Sequence, residues 1–254
     1  MTHPLQGKRV LITGAAGGIG QATVNRLQAH GAVVAGVDLR AADGVIGADV
    51  RDADSVRTAV SEAVARLGGL DILVNCAGIG TVQDAGEMPD EETRRTIDIN
   101  LMGPWITTAA ALPHLLAAQG HVVVVTSVLA VATTPFSAAY SASKHALDAY
   151  ANALRMEYDG RVSVTTVRPG YIKTAIHDRP ATRGVSLDGV TNVDTVEQAA
   201  TAIVRACTHR ARTLTTSRST GVSIFMAQHF PGLVEAVIVR RGRKRIFELK
   251  PVED

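Results

Sequence analysis

The chain has 254 residues, with 26 Lys plus Arg against 24 Asp plus Glu and a formal net charge of +2. That near-balance gives no electrostatic reason to expect a nucleic-acid partner. A hydrophobic fraction of 46% with 20% charged residues excludes intrinsic disorder, and two cysteines, Cys76 and Cys207, exclude a disulfide scaffold and a four-cysteine zinc site.

The N-terminal residues lead straight into a strand-like run without a long apolar leader. With so few cysteines, this fits a reducing compartment, and a cytoplasmic location is expected. Runs rich in Val and Ile at 8–13, 32–37, 70–75, 121–126 and 161–167 read as strands, with 45–48 a shorter candidate. Helical patterns lie between them: 19–29, 54–67 with an Asp cap and a stop at Gly68-Gly69, 90–118 with a break near Gly103-Pro104, and 137–158. Residues 195–208 read as a further helix. Residues 212–216 read as a last strand, and 220–239 as helix interrupted at Pro231.

Strands alternating with helices argue for α/β architecture, a parallel sheet with helices on its faces. An eight-fold barrel is the rival. The strand count before residue 170 and the glycine cluster after the first strand favour an open, doubly wound sheet. Neither a repeat nor a linker appears, so 1–254 reads as one domain, with a lid over 174–194 and an extension over 218–254.

The first strand runs into Thr13-Gly14-Ala15-Ala16-Gly17-Gly18-Ile19-Gly20, and a helix pattern follows at once. Glycines let a backbone turn sharply and approach a ligand closely. The helix N-terminus then offers unpaired N–H groups to a pyrophosphate. Asp38 ends the second strand 18 residues after Gly20. An acidic residue at that spacing is placed to accept hydrogen bonds from the adenosine ribose, and its charge would repel a 2′-phosphate. Arg40 would suit that phosphate, yet the glycine loop carries no basic residue. NAD is expected over NADP.

Tyr140 and Lys144 are four residues apart, so they share one helix face. An ammonium near a phenol favours the phenolate and is expected to lower the Tyr140 pKa. Ser127 follows a strand directly, and ligands of open α/β sheets bind at strand carboxyl ends. Taken singly, such a pair is commonly surface, and such a serine is commonly a cap.

Together these residues resemble the short-chain dehydrogenase/reductase (SDR) family. The resemblance rests on Thr13-Gly14-x-x-x-Gly18-x-Gly20, Asp49-Val50, Asn75-Cys76-Ala77-Gly78, Asn100, Ser127, Tyr140-x-x-x-Lys144 and Pro169-Gly170, and it covers about residues 7–175. It implies a Rossmann-type doubly wound parallel sheet with helices on both faces. It implies Tyr140 as the acid/base and Lys144 as the residue that tunes it and binds the nicotinamide ribose. Ser127 would hold the substrate oxygen, and Asn100 a relay water. Gly14, Gly18, Ile19, Gly20, Asp38, Asp49 and Val50 would line the adenosine and phosphate side, and Asn75, Ala77 and Gly78 would support the central sheet and border that side. Pro169, Gly170, Ile172 and Thr174 would lie beside the nicotinamide.

The reaction implied is hydride transfer between NAD(H) and a secondary alcohol or ketone, without a metal. Ile79, Val128 and Leu129 would make the substrate pocket apolar; Arg179 and Arg183 are expected to be solvated lid residues, with a clamp for a substrate carboxylate as the other reading. An NADPH-dependent carbonyl reductase and a non-catalytic dinucleotide-sensing scaffold are the alternatives. Cys76, where the family commonly has a second Asn, is expected to be buried filler. Apolar faces on 100–118 and 137–158 point to a homodimer or homotetramer.

Charge is uneven along the chain, and five of the six residues 240–245 are basic. Such a run is most often a solvated tail. A surface for acidic lipids or partners is the other reading, so any membrane association would come through the C-terminal end.

Overall fold

The structure is a computed structural model, and it describes residues 4–172 and 193–243. Seven parallel strands form one sheet in the order β3-β2-β1-β4-β5-β6-β9. These are β1 (Arg9–Thr13), β2 (Val33–Asp38), β3 (Val45–Gly47), β4 (Ile72–Asn75), β5 (His121–Val125), β6 (Ser163–Arg168) and β9 (Thr213–Thr215). A pair absent from the sequence expectation, β7 (Tyr171–Ile172) with β8 (Val193–Asp194), stands apart from the sheet.

All of β4 and β5 is buried. A parallel strand covered on both faces reads as a continuous apolar run, which is why Ile72-Leu73-Val74 and Val122–Val125 carry no alternation in the sequence. Alternation appears instead in where the side chains go. Leu11, Leu73, Val122, Val124 and Val164 join one core. Val10, Ile12, Ile72, Val74, Val123, Val125 and Val167 join the other. Helices α2 (Ala53–Leu67), α4 (Gly103–Ala117) and α5 (Ala138–Glu157) cover the first face, and α1 (Gly18–Ala29) and α6 (Val196–Thr208) the second. The expected open doubly wound sheet is observed.

Local signals set most helix ends. Asp52, rather than Asp54, caps α2 and accepts from the N–H groups of Asp54 and Ser55. Gly68 ends it at φ 71°, a left-handed turn open to glycine. Thr195 and Gln198 make a reciprocal capping box on α6.

The 90–118 segment departs from expectation. It does not break at Gly103-Pro104. Helix α3 (Glu91–Ile97) passes into a π-helical turn over Asp98–Met102 and continues as α4. Pro104 has no N–H for the Asn100 carbonyl four residues back, and the helix accommodates it by widening. Two further helices close the described chain, α7 (Arg218–His229) and α8 (Pro231–Arg243).

Candidate active site

The order of the sheet puts β1 and β4 side by side with their connections leaving in opposite directions, the place where open α/β sheets bind ligands. Two joined cavities lie over these strand ends. The larger, ≈ 410 Å³, is lined by Gly14, Gly18, Ile19, Gly20, Asp38, Asp49, Val50, Ala77 and Gly78 among others. The smaller, ≈ 70 Å³, is lined by Ser127, Tyr140, Lys144, Pro169, Gly170 and Ile172. Ile19, Cys76 and Gly78 belong to both.

The glycine turn is built for close backbone approach. A Cβ on Gly20 would lie 1.9 Å from the Gly14 carbonyl oxygen, and one on Gly14 would lie 2.8 Å from Ala77 Cα. Gly18, by contrast, faces open space. The turn is thus closed on its protein side and open on the cavity side. Asp38 fixes it from β2, because its Oδ2 accepts the Ala16 N–H at 2.9 Å. Thr13 fixes it from β1, where Oγ1 accepts from the N–H groups of Cys76 and Ala77 at 3.2 Å each. Asp49 is held by Arg51, with Nη2 to Oδ2 at 2.6 Å. That hydrogen bond keeps the Asp49 carboxyl below its ordinary range.

At the other end Ser127 closes β5 and caps a short 3₁₀ turn, accepting from the Leu129 N–H at 3.1 Å. The same serine lines the smaller cavity together with Tyr140 and Lys144. Lys144 is buried, donates to the Val125 carbonyl at 3.2 Å and stands 5.8 Å from the centroid of the Tyr140 ring. Asn100, fully buried on the π-turn, is held by Ile79 through both backbone groups, at 2.8 and 2.9 Å, and donates to Ser143 Oγ at 3.1 Å. A Cβ on Gly78 would sit 3.2 Å from Asn100 Oδ1 and 3.4 Å from Lys144 Nζ. Glycine therefore keeps open the gap between the amide and the ammonium.

Electrostatics correct one expectation. Burial pushes the Tyr140 phenol above its ordinary value, and the Ser127 hydrogen bond offsets part of that. Lowering by Lys144 is not seen. Lys144 is itself desolvated and pulled down to about 8, which weakens it as a fixed cation. Burial of its sulfur pushes the Cys76 thiol up to about 11, which does not suit a nucleophile; yet the residue is half-buried and lines both cavities, so it is cavity wall and not the buried filler expected.

Comparison with known proteins agrees with this geometry. A family model described as short chain dehydrogenase matches residues 8–183. The chain belongs to the short-chain dehydrogenase/reductase family. It is 36% identical over 210 residues to "Dehydrogenase/reductase SDR family member 7B" of Xenopus laevis, covering 78% of this chain and 64% of that one. It therefore spans less than two thirds of that relative's length. It is 35% identical over 187 residues to "Oxidoreductase UcpA" of Escherichia coli K12, covering 67% of this chain and 71% of that one. A dehydrogenase/reductase from Sinorhizobium meliloti 1021 superimposes with a TM-score of 0.74 at 28% identity, over 86% of this chain and 97% of that one. An aldohexose dehydrogenase from Thermoplasma acidophilum gives a TM-score of 0.78 at 24% identity, over 87% and 97%, a likeness of fold.

Family membership implies a nicotinamide dinucleotide, and the residues present fit one. The glycine cradle is where a phosphate would rest, and Asp38 and Val50 flank the space beside β2 and β3. Asn75 is the exception among the residues expected to line or border the site. It is buried, its amide donates to Thr108 Oγ1 at 2.9 Å, and it supports the sheet instead of facing the cavity. Thr174 and the lid residues Arg179 and Arg183 lie outside the described residues.

Sequence reasoning missed Asp194. It is buried on β8, and its Oδ2 accepts from the Gly170 N–H at 3.1 Å, from Thr220 Oγ1 at 2.8 Å and from Thr216 Oγ1. It thereby ties the Pro169-Gly170 wall to the start of α7. An acidic residue at the end of an aperiodic stretch gives no sequence signal for this.

Proposed function

We propose that this SDR protein catalyses reversible hydride transfer between NAD(H) and an apolar secondary alcohol or ketone. The observation that carries the proposal is that Ser127, Tyr140 and Lys144 line one small cavity, continuous with the glycine-lined one through Ile19, Cys76 and Gly78. Asp38 supports the choice of NAD, since a carboxylate beside the adenosine ribose accepts from its hydroxyls and repels a 2′-phosphate. Half-buried Val128 and Leu129 and the buried Ile172 support an apolar substrate.

When bound, the nicotinamide supplies the acceptor or donor of the hydride. The chain's residues handle the proton and the oxygen. Ser127 donates to the substrate oxygen and stabilises charge developing there. Tyr140 takes the alcohol proton in oxidation and returns it in reduction. Lys144 would pass that proton onward through a water held by Asn100, the two residues lying on either side of Gly78. With its pKa raised by burial, Tyr140 keeps its proton at neutral pH. That suits donation to a forming alkoxide, so oxidation is expected to need a higher pH.

The test is a spectrophotometric screen of NAD and NADP against aliphatic, aromatic and steroid alcohols and ketones. Tyr140→Phe keeps the ring and removes the transferable proton. Turnover is expected to fall by about 10² or more, while NAD affinity and fold survive. Oxidation by the intact protein is expected to keep rising with pH up to and beyond about 10, the ordinary phenol value, because Tyr140 is shifted upward. A Tyr140→Phe protein that retained most of its turnover would defeat the mechanism.

A further inference from the structure

The described chain ends in two helices that turn through 115° at Phe230. Helix α7 is anchored at its start, through the Thr220–Asp194 hydrogen bond and the buried Ile224 and Ala227. Its outer side presents Val222 and Phe225, 61% and 53% exposed. Helix α8 reads Pro-Gly-Leu-Val-Glu-Ala-Val-Ile-Val-Arg-Arg-Gly-Arg. None of its residues from Pro231 to Arg241 is buried, although Leu233, Val234, Ala236, Val237, Ile238 and Val239 are apolar. Phe230, at the corner, and Leu233 are at least half exposed. A helix that is apolar over most of its circumference is normally covered. A patch of this kind on a soluble chain marks a docking surface.

Charge says what covers it. Residues 218–245 hold six basic residues and one acidic residue, Glu235. Arg240 and Arg241 follow Val237 by three and four residues, so they extend the row formed by Leu233 and Val237. Both are exposed. Long arginine stems lie along apolar surface while their heads reach toward anions. A second copy of this face would offer those arginines a single carboxylate, Glu235. Among the described residues no single helix is long and apolar enough to cross a membrane, and α7 and α8 together pass that test only as a pair bent by 115°. Thirteen residues extend about 20 Å, against a hydrocarbon core of about 30 Å.

We propose that α7 and α8 form an interfacial anchor that lays the apolar face of α8 into the surface of a bilayer carrying anionic headgroups. Leu233, Val237, Phe225 and Phe230 enter the boundary region, and the basic end of α8, beginning at Arg240, faces the headgroups. Through Thr220, Asp194 and Gly170 the anchor is joined to the wall of the catalytic cavity, so docking holds that end of the protein at the membrane. The anchor rests on exposure and charge, and it stands whatever alcohol the site oxidises.

The experiment is co-flotation of the full chain with phosphatidylcholine vesicles, with and without about 30% phosphatidylglycerol, at about 0.05 M and about 0.5 M salt. At low salt the floated fraction is expected to be at least about tenfold higher with the anionic vesicles. High salt is expected to reduce it. Arg240→Glu/Arg241→Glu removes the anionic preference. Leu233→Glu/Val237→Glu abolishes flotation with the circular dichroism and thermal midpoint unchanged, because neither residue packs in a core. Failure of the intact chain to float with anionic vesicles at low salt overturns the proposal. So does flotation that is equal on neutral vesicles and indifferent to the arginine variant. Loss of an oligomer in Leu233→Glu/Val237→Glu, without vesicle binding by the intact chain, would assign the face to a second copy instead.

Discussion

Asp38 does two things in this structure, and replacing it with Asn separates them. Oδ2 accepts from the Ala16 N–H at 2.9 Å and Oδ1 from the Leu39 N–H at 2.7 Å. Asparagine keeps one acceptor oxygen, so one of those N–H groups loses its partner. That costs about 1 kcal/mol, less where water reaches the group. The variant also loses a full negative charge. Two unit charges about 4 Å apart interact by about 1 kcal/mol in water and about 4 kcal/mol at the effective dielectric of a protein surface. A phosphate carries up to about two charges, so the relief for NADP is about 2 kcal/mol or more and outweighs the lost hydrogen bond. Arg40, exposed two residues on, then offers that phosphate a cation. Titration calorimetry of both cofactors is expected to show NAD bound more tightly by the intact protein. In Asp38→Asn, NADP tightens by about tenfold or more and NAD weakens by less than about tenfold. Equal or tighter NADP binding by the intact protein would refute the reasoning, as would an unchanged ratio in the variant.

Gly78→Ala places a methyl 3.2 Å from Asn100 Oδ1 and 3.4 Å from Lys144 Nζ. Steady-state kinetics are expected to show turnover down by about tenfold or more, with at most about 1–3 kcal/mol lost in denaturant unfolding; unaltered turnover would show that the gap is not used. His121 is buried against Thr165, and desolvation pulls it down to about 4 from 6.5. Its folded pKa lies below its unfolded one, so its contribution is complete above about pH 6.5 and is lost as pH falls toward about 4, by up to about 3 kcal/mol. Urea unfolding across that window is expected to show the loss and His121→Gln to flatten it, and an equal slope in both proteins would contradict the assignment. Trp105 on α4 is half exposed and stacks on Tyr150 of α5 with centroids 4.7 Å apart. Light scattering is expected to show at least a dimer, reduced to monomer by Trp105→Glu; a monomeric intact protein at micromolar concentration would remove this face as an interface.

What the sequence determined by itself is mostly local. Strand runs, the glycine turn, the Ser137–Tyr158 bounds and the left-handed stop at Gly68 are set by residues within a few positions of one another. The ordered SDR motifs identified the family before any distance was known. Burial on both faces explains why β4 and β5 were read from apolar runs rather than from alternation. Helix starts are less legible, because Asp52 and Asp54 carry the same capping chemistry and only the backbone distinguishes them.

Tertiary structure decided what depends on neighbours distant in sequence. Pro104 predicts a defect in 90–118, but only packing turned that defect into a π-turn that faces Asn100 toward Ile79 and Ser143. Asp194 became the link between Gly170 and Thr220 because β8 returns beside β7, a contact that no short-range pattern records. The direction of the Tyr140 pKa was decided the same way. Four-residue spacing places an ammonium near the phenol, which by itself lowers the pKa, whereas the fold buries both groups. Desolvation, which depends on everything around the pair, sets the direction, and the partial offset comes from Ser127 instead of Lys144.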